Sequence, residues 1–268
     1  MPVFAFIGTG NMGGALATAA RKALPGEKLL LANRTPEKAQ RLAERLNARA
    51  VDNVTAAREA DYLFLGVKPQ MMPDAFKSVR DALGAREKPC VLVTMAAGLS
   101  IARIREMALV HFPVIRIMPN TPAAIGQGVV LCCADGATTE QIDTFKRIMA
   151  GAGLLDFIDE RLIDAGSAVS GCGPAFAAML IEALADGGVA CGLPRAKSMA
   201  YAAQTLLGTA ALQLQTGRHP GAMKDDVCSP AGSTIQGVRA LERSGFRSAA
   251  FEAVIAAYER TLELGKGK

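Results

Sequence analysis

The opening stretch Pro2-Val3-Phe4-Ala5-Phe6-Ile7-Gly8-Thr9-Gly10-Asn11-Met12-Gly13-Gly14 constrains this chain more than any other. An apolar run of strand length meets a glycine at once, and the spacing Gly8-x-Gly10-x-x-Gly13 leads into a helix-forming run from Ala15 to Ala20. Each glycine has a physical task. Gly8 makes the tight turn, Gly10 lets backbone approach a pyrophosphate, and Gly13 lets the helix pack closely on the strand. The helix start adds free N–H groups and a positive dipole end for the phosphates. A dinucleotide-binding strand–turn–helix unit is the expectation.

Strand and helix alternate after it, which predicts parallel βαβ units. Strands are expected at residues 28–32, 61–67, 90–95, 114–118, 129–134 and 154–158, and helices at 36–46, 73–83, after Ser100, and at 139–149. Past Asp159 the pattern changes. Between Leu162 and Thr216 only Asp164, Glu182, Asp186, Arg195 and Lys197 are charged, no strand pattern occurs, and helices break at Gly171–Pro174, Gly192–Pro194 and 217–230. Two more helices are expected, near 232–243 and 248–264. Helices so poor in charge have more than one face to bury, so the helical half is expected to dimerise. The expected division is a dinucleotide-binding domain over residues 1–159 and a helical substrate-binding and dimerisation domain over 160–268.

Composition removes several other classes. There is no Trp and no basic run with interleaved aromatics, so nucleic-acid binding is not expected. The net charge of +5 suits an anionic ligand, and a solvated face explains it equally well. The six Cys form no Cys-x-x-Cys pair and the two His lie far apart, so no metal site is expected. Strand residues begin at Val3 with no signal peptide before them, which reads as a cytoplasmic protein with reduced, buried thiols. The charge-free run Ser198–Gly217 reaches membrane-spanning length but carries Gln, hydroxyl residues and a Tyr, and reads as a buried helix.

Four stretches carry candidate chemistry. The second strand ends Ala32-Asn33-Arg34-Thr35, where an acid would accept from the ribose of NAD; Arg34 instead suits the extra phosphate of NADP. Val67-Lys68-Pro69 and Met95-Ala96-Ala97-Gly98 fall at carboxyl ends of expected strands, where doubly wound sheets bind ligands, although ordinary turns explain either alone. Asn53 either reaches the adenosine side or caps a turn. Finally, residues 225–235, Asp-Asp-Val-Cys-Ser-Pro-Ala-Gly-Ser-Thr-Ile, open a helix with small and polar residues. Its N–H groups and the hydroxyls of Ser233 and Thr234 are expected to form a carboxylate cradle, although a plain helix N-cap already explains the Ser and Pro.

Taken together these stretches resemble the pyrroline-5-carboxylate reductase family. The shared features are Ile7-Gly8-x-Gly10-x-Met12-Gly13, Val67-Lys68-Pro69, the Ala96-Ala97-Gly98 turn and Arg116-x-Met118-x-Asn120-Thr121-Pro122. They continue through Ser170-Gly171-x-Gly173-Pro174-Ala175, Ala183–Gly188, Gly192-Leu193-Pro194, and His219-Pro220 to Ser229-Pro230-x-Gly232-x-Thr234-Ile235. The resemblance implies an α/β Rossmann-type N-terminal domain followed by an all-α helical bundle that interlocks with a second subunit in a homodimer or a higher assembly of dimers. It implies NADPH, or NADH, reducing 1-pyrroline-5-carboxylate in the last step of proline biosynthesis. By position, cofactor contacts fall on Gly8, Thr9, Gly10, Asn11, Met12, Gly13, Asn33, Arg34, Asn53, Val67, Lys68, Pro69, Met95, Ala96 and Ala97. The substrate carboxylate falls on Gly232, Ser233 and Thr234, with Thr234 near the ring nitrogen as the catalytic group, and Glu160 and Asp226 add polar contacts. Two departures stand out: Ala231 occupies a place where Gly is usual, and Ser233 one where Thr or Ala is common. The alanine costs backbone freedom.

The residues themselves agree on the chemistry. Alcohol oxidation needs a general base beside the hydroxyl, whereas hydride addition to a protonated imine needs proximity, orientation and a donor near nitrogen. The expected helix 175–189 holds no Lys or His. That counts against a β-hydroxyacid dehydrogenase, the alternative enzyme. A non-catalytic NADP-binding sensor is a second alternative; its mark would be a degraded C-terminal turn, and the turn here is intact.

Overall fold

In the computed structural model, which describes residues 1–266, the first half of the chain forms one twisted sheet. Its strands are β1 (Phe4–Ile7), β2 (Leu29–Ala32), β3 (Arg49–Ala50), β4 (Tyr62–Leu65), β5 (Val91–Thr94), β6 (Val114–Pro119), β7 (Gly128–Asp135) and β8 (Gly153–Phe157), in the order β3-β2-β1-β4-β5-β6-β7-β8. Helices α1 (Asn11–Arg21), α2 (Pro36–Leu46), α3 (Asn53–Glu59), α4 (Met72–Gly84), α5 (Ile101–Ala108) and α6 (Thr139–Met149) connect them. Every residue of β1, β2, β4 and β5 is buried, as expected of parallel strands covered on both faces. Alternate residues serve two cores. Phe4 and Phe6 join Leu16, Phe64 and Phe145 on one face, while Ala5 and Ile7 join Leu63, Phe76 and Ile104 on the other. The Phe6 and Phe64 rings stack with centroids 4.1 Å apart, fixing β1 against β4 where the first glycine turn begins.

The sheet departs from the all-parallel expectation at one place: β7 runs antiparallel to β6. Only the turn from Asn120 to Gln127 joins them, and parallel pairing needs a crossover of a dozen or more residues. Asn120 holds this turn shut. Its side-chain oxygen accepts from Val129 N–H at 2.9 Å, and its amide donates to the Ser170 carbonyl at 2.9 Å.

The helices after the sheet are α7 (Glu160–Ser170), α8 (Gly173–Ala190), α9 (Arg195–Thr216), α10 (Pro220–Asp226), α11 (Ser233–Arg243) and α12 (Phe246–Lys266). By contacts the chain divides into one unit over Met1–Cys172, together with α12 from Ala257 on, and a second over Gly173–Ala256. The helical run expected from residue 160 thus starts with a helix that belongs to the sheet. Ile163 joins the second core, and Gly166 sits so close to Leu131 that a Cβ there would overlap its side chain.

Within the second unit α8 and α9 form a tight hairpin, with Ser198 Oγ donating to the Ala185 carbonyl at 2.7 Å over Gly188. The run from Ser198, expected as a buried helix, is exposed along most of its length: in α9 only Ser198 and Ala202 are buried. Met179, Leu184, Tyr201, Leu207, Leu212 and Phe251 are likewise exposed. The helical stretch Glu160–Ala190 is long and apolar enough to cross a membrane by length and composition, yet its α7 half is seated on the sheet. The thiols also divide. Cys90, Cys132 and Cys133 are buried, but Cys191 is exposed and Cys172 and Cys228 are half-buried, so the all-buried expectation fails for the helical half.

Candidate active site

The strand order runs outward from β1 in both directions, through β2 to β3 and through β4 to β5, so the winding reverses beside β1. Crevices at the carboxyl edge of such a reversal bind ligands. Three loops meet that edge: Gly8–Gly13 after β1, Gly66–Pro69 after β4 and Met95–Gly98 after β5. Gly8 has φ +98°, and a Cβ on it would stand 2.7 Å from the carbonyl of Gly66. A Cβ on Gly13 would run into the Gly8 carbonyl, whereas one on Gly10 would meet no protein atom within 4 Å. Gly10 therefore presents bare backbone to open space. It precedes α1 without any side-chain cap, and the first turn of α1, with Asn11 and Met12, carries no acid. Free N–H groups, a positive helix end and an approachable backbone fit a dinucleotide pyrophosphate.

The other cofactor candidates sit around this turn. Asn33 donates from Nδ2 to Thr9 Oγ1 at 2.9 Å, tying the end of β2 to the glycine loop. Arg34 is exposed, and with Asn33, Asn53 and Ser78 it lines a groove of about 530 Å³. Asn53 donates to Ser78 Oγ at 3.2 Å; the cap of α3 is its neighbour Asp52, which accepts from Thr55 N–H at 2.6 Å. That bond holds the Asp52 carboxyl below the ordinary range. Lys68 is exposed, Val67 and Pro69 are half-buried, Met95 is half-buried, Ala96 is buried and Ala97 is exposed.

Glu160 lies in the sheet-bearing unit and is already engaged. Its Oε1 accepts from Ile101 N–H, the first of α5, at 2.7 Å and meets Arg116 Nη1 at 3.3 Å. Arg116, 3% exposed on β6, also pairs with Asp164 at 2.6 Å, and its Nε is buried without a partner. Arg116 and Asn120, named above only within the shared motif, and Asp164 are structural anchors of β6 and its turn whose roles the sequence did not show. Their signal is a lone Arg and Asn inside otherwise apolar β6 and its turn.

In the second unit, Asp226 is ion-paired with Arg218 at 2.6 Å, which holds its carboxyl below the usual range. The stretch after it makes a tight turn. Gly232 N–H donates to the Ser229 carbonyl at 3.0 Å, Pro230 stands second, and Ala231, third, has φ +59°. Those are the marks of a type II turn, whose third position favours glycine. Gly232 then precedes α11 with no side-chain cap, so Ser233 and Thr234 open a helix whose first N–H groups are unused. Both side chains are exposed.

A mostly parallel sheet with an open glycine turn at its reversal fits a dinucleotide-binding oxidoreductase, and the broad apolar faces of the helical half fit assembly through those helices. Residues 3–98 match a family described as NADP oxidoreductase, coenzyme F420-dependent, and residues 160–264 match pyrroline-5-carboxylate reductase dimerisation. The chain belongs to the pyrroline-5-carboxylate reductase family: it is 38% identical to the enzyme of that name from Pisum sativum over 97% of this chain and 94% of the relative. The one from Synechocystis is 46% identical over 80% of this chain and 79% of its own. Among solved structures, the Plasmodium falciparum pyrroline carboxylate reductase with NADP bound aligns over 98% of both chains, with TM-score 0.87 and 28% identity. The Coxiella burnetii pyrroline-5-carboxylate reductase gives 0.89 and 27%, also over 98% of both.

Proposed function

We propose that this protein reduces 1-pyrroline-5-carboxylate to L-proline, the closing step of proline biosynthesis, as a cytoplasmic homodimer or an assembly of dimers. The observation that carries this reading is the pairing, in one chain, of an open glycine turn at the sheet reversal with an uncapped, small-residue start of α11. NADPH, when bound, supplies the hydride. Gly8 to Gly13 hold its pyrophosphate, Arg34 with Asn33 and Asn53 the adenosine end, and Val67 to Pro69 with Met95 to Ala97 the nicotinamide end. The N–H groups after Gly232 and the Ser233 hydroxyl receive the substrate carboxylate, a use of helix termini for anions. Thr234 Oγ1 donates to the lone pair that develops on the ring nitrogen as carbon takes the hydride, while nitrogen keeps its proton. Asp226 and Glu160, each carboxylate also held by an arginine, Arg218 and Arg116, add polar contacts to the substrate.

A hydroxyacid dehydrogenase reading has less support. Helix α8 carries no Lys or His, and one of its two acids, Asp186, is paired with Arg195. The test is loss of NADPH absorbance with the cyclic imine, run beside NADP with a β-hydroxyacid. Turnover of the imine alone, with kcat falling at least tenfold in Thr234→Ala, is the expected result. Full turnover in that variant ends the role of Thr234, and activity with the hydroxyacid alone ends the reductase reading.

A further inference from the structure

Three cations on α2 have no task in the site described so far. Lys38, Arg41 and Arg45 stand at i, i+3 and i+7, one stripe along the helix, and all three are exposed. The stripe faces α1: together with Thr9, Gly10 and Asn11 of the glycine turn it lines a groove of about 700 Å³. Among the described residues none of the three is ion-paired. The acids of the same helix, Glu37 and Glu44, do not line this groove. Like charges one helical turn apart repel, so the stripe costs a little stability in the free protein and gains it back only when an anion enters.

The position of the stripe says which anion. The pyrophosphate is met by bare backbone at Gly10 and the start of α1, with no need of a side-chain cation. Arg34 lines the groove on the other side of α2, with Asn33 and Asn53. Arg34 lies two residues before α2 and Lys38 in its first turn, and each lines a different one of the two grooves that meet at this helix start. We propose that Lys38 is a specificity-determining residue, reading the 2′-phosphate of the dinucleotide from the glycine-turn side while Arg34 reads it from the other. Arg41 and Arg45 carry the positive field down the groove and speed capture of the anion. The inference rests on the NADP reading above.

Calorimetric binding of 2′,5′-ADP and of 5′-AMP isolates the phosphate without any turnover. In wild type, 2′,5′-ADP binds more tightly. In Lys38→Gln that discrimination falls about tenfold, as expected for loss of one charge-assisted contact in a solvent-open groove, and Lys38→Arg restores most of it. The NADPH-to-NADH ratio of kcat/KM falls in step. Equal weakening of both nucleotides, or a ratio unmoved in Lys38→Gln, overturns the role of Lys38. Equal binding of the two nucleotides by wild type is a different failure, that of the NADP reading itself.

Discussion

Replacing Ala231 with glycine should stabilise this protein, an unusual direction for a change to glycine. Ala231 occupies the third position of the Ser229–Gly232 turn at φ +59°, where its Cβ crowds the following carbonyl. An L-residue with a Cβ pays about 1–2 kcal/mol for that conformation, and glycine pays almost nothing. Against the gain stands the extra freedom glycine brings to the unfolded chain, roughly 0.5–1 kcal/mol. The balance is about 0.5–1 kcal/mol in favour of Ala231→Gly. For a chain of this size that is a rise in Tm of roughly 1–4 °C. Ala231→Val moves the opposite way, because a β-branched side chain is worse still at positive φ.

Thermal unfolding followed by circular dichroism at fixed protein concentration reads both variants. Leu109 gives the control, since it ends α5 at φ +55°, is 65% exposed and belongs to the sheet-bearing unit. Leu109→Gly should raise Tm by a similar amount and leave the KM for the imine where it was. Ala231→Gly should raise Tm and also shift that KM, since the turn sets the aim of the N–H groups after Gly232. A lower Tm for Ala231→Gly with a raised Tm for Leu109→Gly would refute the reasoning: the turn would then be held by something other than the backbone conformation assigned to it.

Further outcomes follow from the same structure. Gly10→Ala should fold normally, because its new methyl meets no protein atom, yet lose the upward Tm shift that NADPH gives wild type; Gly13→Ala should be destabilised even without cofactor, because its methyl meets the Gly8 carbonyl. Arg116→Met should cost about 1–3 kcal/mol in urea unfolding, since it strands Glu160 and Asp164 in a half-buried site, and adding Glu160→Gln should recover part of it. Burial pushes the Cys90 and Cys133 thiols up to about 11 and the Tyr62 hydroxyl up to about 12. Each group binds its proton more tightly folded than unfolded, so their contribution is complete below pH 9 and drains away as pH climbs through 9 to 12. A urea midpoint that stays level from pH 8.5 to 10.5 would contradict this.

The sheet was legible because its strands are short apolar runs punctuated by Gly and Pro. α2 spans Pro36–Leu46 as its leading proline and periodicity foretell, and Ser100 caps α5 by accepting from Arg103 N–H at 3.2 Å. What local pattern could not convey was partnership. The antiparallel turn of β7 follows from a connection too short to cross over, a length visible in the sequence but outweighed by the βα alternation before it. Asn53 and Asp52 are adjacent polar residues at a helix start, and nothing local says which of them caps. Glu160 is tied to Arg116 across 44 positions, and the stripe of Lys38, Arg41 and Arg45 points to a ligand only once α1 is seen beside it.

The buried helix expected from Ser198 shows the same limit from the other side. Low charge in a helix states that its faces must leave water; it does not state what covers them. In a single chain α8, α9 and α12 leave Met179, Leu184, Tyr201, Leu207, Leu212, Phe251 and Ile255 exposed, far more apolar surface than scattered residues on a monomer explain. The match of residues 160–264 to a dimerisation family supplies the missing cover. Because those residues also contain the Ser229–Gly232 turn and Thr234, the segment that needs a second copy to be buried is the one proposed to hold the substrate. Stability of the helical half and substrate affinity should therefore fall together on dilution, while binding of 2′,5′-ADP to the sheet-bearing unit should not.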